Sequence, residues 1–108
     1  MTAKVAVEGG IRVGNLFFLS GVCCEADSVE AELRKNIDSI AATLAKQGAT
    51  LADVVSVTVY LRDIHDRERC LNRVWQERFP EPRPARTTVE VGIGKCRCEL
   101  QAIACLPS

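Results

Sequence analysis

Leu16-Phe17-Phe18-Leu19 is a compact apolar run that ends at Ser20-Gly21, and Gly9-Gly10 and Gly14-Asn15 punctuate the chain before it. This pattern predicts short strands joined by tight turns. After Asp27 the period changes. Leu33, Ile37, Ile40, Ala41, Leu44 and Ala45 recur at helical spacing, with Asp27 or Ser28 as N-cap and Gly48 as the stop. A helix of about 18 residues with one apolar stripe fits, and it places Asn36 and Asp38 on the solvated side. Thr50-Leu51-Ala52-Asp53 reads as a capped helical turn, because the threonine and the aspartate three residues on can satisfy each other's backbone amides. In the strand that follows, Val55, Val57, Val59 and Leu61 alternate with Ser56, Thr58, Tyr60 and Arg62. Leu71, Val74, Trp75 and Phe79 mark a second helix that starts near Asp63 or Asp66 and is ended by Pro80, Pro82 and Pro84.

Strands at Arg86–Val91 and Cys98–Cys105 complete the order of short strands, helix, strand, helix, strand, strand. The expected class is α+β, or a mixed α/β layer, with two helices on one face of a sheet. The last two strands read as a simple hairpin. Two helices cover one face only, so the other, assigned Thr58, Tyr60, Thr88 and the neighbours of Val89, needs water or a second subunit. Residues 1–108 have the length of one domain.

Composition narrows the partners. Lysine plus arginine and aspartate plus glutamate both number 14, so no net field recruits nucleic acid or an anionic membrane surface. No apolar stretch reaches bilayer length, and Met1-Thr2-Ala3-Lys4-Val5 lacks a signal peptide's apolar region, which makes cytoplasmic the expected location. The six cysteines read as free thiols, several of them small core hydrophobes, since the core pattern is complete without staples. No pair has zinc-knuckle spacing, so no metal is expected, although Cys96 and Cys98 would share one strand face.

Chemistry concentrates late in the chain. Arg86 follows Pro84-Ala85 at the start of a strand, where its planar fork of donors can meet a substrate carboxylate. Glu99 stands alone on an otherwise apolar strand and could handle a proton or a water. On spacing alone, an ordinary salt-bridged strand pair with solvated charges is the favoured reading of both residues. His65 is the sole histidine, in a loop or helix-cap context, so neither a histidine metal cluster nor a Ser-His-Asp arrangement can form. Cys23-Cys24 are followed by Glu25 rather than a cation, which argues against a cysteine nucleophile. Trp75 and Phe79 read as core.

Leu19-Ser20-Gly21 after an apolar strand, Asn72 in the second helix, Pro84-Ala85-Arg86 before a strand and Glu99 in the last strand together resemble the RidA family, also called the YjgF/YER057c/UK114 family. The resemblance runs from roughly Gly14 to Ala104. It implies a chorismate-mutase-like α+β fold assembled as a homotrimer, with ligand clefts between subunits and the last strand inserted between two earlier ones, so that Arg86 and Glu99 meet across a subunit boundary. It further implies hydrolysis of enamines and imines such as 2-aminoacrylate to 2-keto acids and ammonia, without cofactor or metal. In that reading Arg86 pairs with the carboxylate and Glu99 positions or activates water. Ser20, Gly21 and Thr88 complete the pocket, and Asn72 is a polar support. The alternatives are a non-catalytic trimeric metabolite-binding or regulatory protein and an aminomuconate-type deaminase. The chain departs from the family pattern at Val7, where a tyrosine is common, at Thr88, where well-known members carry cysteine, and at Val22-Cys23-Cys24-Glu25, which replaces a proline- and glycine-containing segment.

Overall fold

A computed structural model of the chain describes residues 3–107. Three short strands open it: β1 (Lys4–Val7), β2 (Gly10–Val13) and β3 (Leu16–Leu19), paired antiparallel in sequence. Gly9, at φ +88°, occupies the turn between β1 and β2; a side chain there would be strained and would collide with Thr43. Helix α1 (Val29–Ala45) follows, capped by Ser28, whose hydroxyl accepts from the Ala31 amide at 3.1 Å. The capped turn at Thr50–Asp53 is present, with Asp53 accepting from the Thr50 amide at 2.8 Å. It leads into β4 (Val54–Leu61). A π-helical turn over Arg67–Leu71 continues into α2 (Asn72–Arg78), which stops at Phe79 before the prolines. Strands β5 (Ala85–Glu90) and β6 (Cys98–Cys105) end the chain.

The sheet order is β1-β2-β3-β6-β4-β5. This corrects the hairpin expected from adjacency: β6 lies between β3 and β4, antiparallel to both, and β5 runs parallel to β4 at the edge. A parallel pair requires a crossover, which the π-turn and α2 supply. Both helices pack on one face. There Phe17, Leu19, Val57, Val59, Leu61, Leu100, Ala102 and Ala104 meet Leu33, Ile37, Ile40 and Leu44 of α1 and Val74, Trp75 and Phe79 of and beyond α2, all buried. Each of the larger side chains contributes about 1.5–3 kcal/mol by leaving water.

Strand parity assigns the remaining residues. Glu99, Gln101 and Ile103 of β6, Ser56, Thr58 and Tyr60 of β4, and Thr87 and Val89 of β5 lie on the face without helices, beside exposed Leu16 and Phe18. Thr88 does not join them. It pairs with Val59 and faces the helices, a correction that follows from its sharing the parity of Arg86 rather than of Val89.

Two further expectations change. Asn36 is fully buried, not solvated, because it sits between Leu33 and Ile40 on the inward stripe of α1. The cysteines are not all free: Cys23 and Cys96 form a disulfide with Cα atoms 6.0 Å apart, leaving Cys24, Cys70, Cys98 and Cys105 as thiols. Cys96 precedes β6 rather than lying on it; β6 begins at Cys98.

Candidate functional site

β5 presents Arg86 toward α2, two residues after Pro84 has fixed the strand's entry. Its Nη2 donates to Asn72 Oδ1 at 2.7 Å, and its guanidinium carbon lies 5.2 Å from the Trp75 ring centroid. Phe79 braces that ring, with centroids 4.4 Å apart. Both partners of Arg86 are neutral. No ion pair among the described residues includes Arg86, whereas Arg34, Arg67, Arg69, Arg73, Arg78, Arg83 and Arg97 each have a carboxylate. Burial, and then repulsion from Arg67, pull the Arg86 pKa below its ordinary value, yet a guanidinium remains charged throughout the physiological range. Thr88, on the same face of β5, buries a hydroxyl oxygen that has no hydrogen-bond partner.

Glu99 is placed by a different device. Val22 and Leu100 exchange backbone hydrogen bonds of 2.8 and 3.0 Å, laying the segment after β3 alongside the start of β6. That puts Gly21 against the carboxylate: a Cβ on Gly21 would stand 2.8 Å from Glu99 Oε2. Only glycine lets the carboxylate approach the backbone this closely. A cavity of about 310 Å³ opens beside Glu99, walled by Tyr60, Gln101 and the loop Val91–Gly94. A second, of about 270 Å³, is lined by Ser20, Gly21 and Val22–Cys24 together with Gly9, Ser39 and Thr43. The contact between Gly21 and Glu99 links the two. Val7 lines neither; it packs at the margin of the core.

Buried polar groups fasten the two segments. Asn36 Oδ1 accepts from the Cys24 amide at 2.9 Å, and Asn36 Nδ2 reaches the Cys98 sulfur at 3.4 Å. Glu32, 1% exposed, accepts from the Arg97 amide at 2.7 Å and from the Arg97 guanidinium, which also donates to the Ala26 carbonyl at 2.9 Å. Arg62 donates to the Gly94 carbonyl at 2.8 Å and to that of Cys96. The Cys98 thiol is pushed up to about 12, chiefly by burial, and burial raises that of Cys70 as well, so neither is a ready nucleophile.

The candidate residues therefore fall into two groups. Arg86, Asn72 and Thr88 are together on the helix side of β5, while Ser20, Gly21 and Glu99 are together around the start of β6. Val57 is the β4 partner of Arg86 and Tyr60 that of Glu99, so the two side chains leave opposite faces of the sheet and form no salt-bridged strand pair. Glu32, Arg97, Trp75 as a guanidinium platform and the Cys23–Cys96 bond escaped the sequence reading. The position of Asn36 on the apolar stripe of α1, with Glu32 one turn before it, was the available signal for the buried pair. Among the described residues no group of three or more histidine, cysteine, aspartate or glutamate side chains is placed to hold a metal ion, and no helix is long and apolar enough to cross a membrane.

A family model described as Endoribonuclease L-PSP matches residues 3–106. A RutC family protein of Pyrococcus abyssi is 38% identical over 89 residues, covering 75% of this chain and 69% of its own. The 3-aminoacrylate deaminase RutC of Acinetobacter baylyi is 32% identical over 92 residues, covering 78% and 72%. Among solved structures, a YjgF/YER057c/UK114 family member of Mycobacterium tuberculosis superposes with TM-score 0.82 at 33% identity, covering 91% of this chain and 85% of that one. With the β6 insertion, the edge arginine and the glycine-backed glutamate in place, the chain belongs to this Endoribonuclease L-PSP family, the YjgF/RidA family.

Proposed function

We propose that the protein hydrolyses small 2-imino acids and their enamine tautomers to 2-keto acids and ammonia, in clefts shared between the subunits of a homotrimer. The observation that carries the reading is Arg86: a half-buried cation with only neutral partners, using one donor on Asn72 and keeping the rest of its fork free. A ligand carboxylate completes that arrangement, and the unpartnered Thr88 hydroxyl beside it offers one more hydrogen bond. The deaminase name carried by the RutC relative supports the same chemistry.

The reaction asks little of the protein. A protonated imine carbon is already electrophilic, so binding, orientation and a placed water suffice. Arg86 holds the carboxylate of the 2-imino acid. Glu99, on a neighbouring subunit, accepts a proton from water as its oxygen adds to the imine carbon, giving a carbinolamine. Return of that proton to nitrogen lets the C–N bond break with loss of ammonia as Glu99 takes the carbinolamine's hydroxyl proton, and the keto acid remains. Ser20 and the Gly21 backbone border the water side, and Tyr60 supplies an aromatic wall where Val7 supplies none.

The opposite faces of Arg86 and Glu99 support a cleft between subunits, in which each side chain meets its counterpart from a neighbouring copy. Leu16 and Phe18, 40% and 39% exposed on the face without helices, give a trimer apolar surface to bury. The ribonuclease in the family description draws no support from this chain, whose charges cancel.

The test generates imines in place with an amino acid oxidase and lets semicarbazide compete for them. Faster keto acid release with the protein than without it supports the deaminase. Equal rates across small and bulky amino acids, with a keto acid still bound at Arg86, would make the protein a binder instead.

A further inference from the structure

The Cys23–Cys96 bond lies at the junction of the two site segments. Cys23 directly follows Val22, whose backbone pairs with Leu100, and Cys96 stands three residues before Glu99. The bond thus ties the segment that delivers Gly21 to the one that delivers Glu99. Its two ends differ in access. Cys96 is 2% exposed while Cys23 is an exposed residue, so the Cys23 end is the side from which an incoming thiolate can approach.

Both segments are also held without the bond. Glu32 fastens Arg97, Asn36 fastens Cys24, and Arg62 fastens the Gly94 and Cys96 carbonyls. These anchors do not run through the sulfurs, and what the bond adds to them is a covalent tie between the Gly21 segment and the approach to Glu99. A reachable bond between segments that other groups also hold has the character of a redox-responsive disulfide rather than a permanent staple.

We propose that Cys23 and Cys96 form a reversible thiol–disulfide switch, exchanging with small thiols and disulfides, whose oxidised form clamps the Gly21 segment onto Glu99 and whose reduced form releases it. In the oxidising direction the Cys23 thiolate attacks one sulfur of a small disulfide such as oxidised glutathione. That S–S bond breaks, one glutathione leaves as thiolate, and a mixed disulfide remains on Cys23. The Cys96 thiolate then attacks the Cys23 sulfur and expels the second glutathione. The two protein thiols give up two protons and two electrons, and the small disulfide becomes two thiols. Reduction runs the same steps backwards. The effect on turnover rests on the deaminase reading; the clamp itself does not.

The experiment equilibrates the full chain in glutathione buffers of graded ratio, quenches with an alkylating agent and maps each cysteine by mass spectrometry. Amide hydrogen exchange over 21–24 and 92–98 and keto acid release are followed in the same samples. The expected result is one two-electron transition confined to Cys23 and Cys96, with those amides exchanging about tenfold or more slowly in the oxidised form. Turnover is several-fold higher when oxidised, and the Cys23→Ser, Cys96→Ser double variant behaves like reduced protein in every buffer. Absence of the bond in fully oxidising buffer, or exchange rates that do not differ between the forms, overturns the proposal. Slowed exchange without keto acid release in either form upholds the clamp and removes the deaminase reading.

Discussion

Arg86, near the start of β5, and Arg97, just before β6, are handled in opposite ways. Arg97 is closed: the carboxylate of Glu32, 1% exposed, takes its guanidinium and its backbone amide, and the Ala26 carbonyl takes another donor. Arg86 is open, resting on a neutral amide oxygen and an aromatic ring. A guanidinium matched by a buried carboxylate is architecture, because its charge is spent inside the fold. Arg62, too, has only neutral partners, but it spends its donors on the Gly94 and Cys96 carbonyls. Arg86 gives one donor to Asn72 and rests on a ring, so most of its fork is kept for something outside the chain, and its partial desolvation makes an arriving anion more strongly bound.

This contrast predicts opposite outcomes for the two sites. Arg86→Ala removes a charged anchor worth about 2–5 kcal/mol, so kcat/KM for imine hydrolysis drops roughly 30- to 1000-fold or more while the urea midpoint hardly moves. Glu32→Ala does the reverse. It strands the Arg97 amide and guanidinium and costs about 2–3 kcal/mol in urea unfolding, the partial exposure of Arg97 keeping it below the cost of breaking a fully buried pair. Equal losses of activity and stability in both variants would erase the distinction drawn between them.

Gly21→Ala sharpens the comparison on the Glu99 side. The new methyl would press on a flexible carboxylate end rather than on backbone, so the carboxylate moves by a few tenths of an ångström and the fold is kept. Turnover should drop about tenfold with keto acid affinity at Arg86 unchanged, which steady-state kinetics and titration separate. The smallest effect belongs to Trp75→Leu, which removes the platform under Arg86. A cation–π contact of about 0.5–1 kcal/mol implies a two- to five-fold rise in KM, restored in Trp75→Phe.

Local rules made most of the fold readable. The helix stripe from Leu33 to Leu44, the capping box at Thr50 and Asp53 and the alternation from Val57 to Leu61 each depend on neighbours a few residues away, and they stand in the structure. Val55, expected on the apolar face, is instead 46% exposed, because a register shift between Val54 and Ser56 turns Val54 inward in its place. The insertion of β6 between β3 and β4 depends on residues some 85 positions apart, such as Phe18 and Ile103, and periodicity cannot report it. Asn36 was misassigned because residue type outweighed position on the helix; its polar atoms are satisfied by the Cys24 amide and by Cys98. The disulfide was missed because Cys23 and Cys96 are 73 residues apart and share no spacing signature. Thr88 is misplaced when its hydroxyl, rather than its parity with Arg86, assigns it a face: two residues apart on β5, Arg86 and Thr88 pair with Val57 and Val59 and point to the helices together. Arg86 and Glu99 could be singled out from their surroundings in the sequence, but their opposite faces could not.

That last feature gives the most direct test of a shared cleft. Arg86→Ala and Glu99→Ala chains are each purified, mixed in equal amounts, unfolded, refolded together and assayed for imine hydrolysis. If each site joins Arg86 of one subunit to Glu99 of its neighbour, every mixed trimer holds one intact site, and random assembly restores about a quarter of wild-type activity. A mixture as inactive as either parent, from protein that sedimentation shows to be trimeric, would contradict the account.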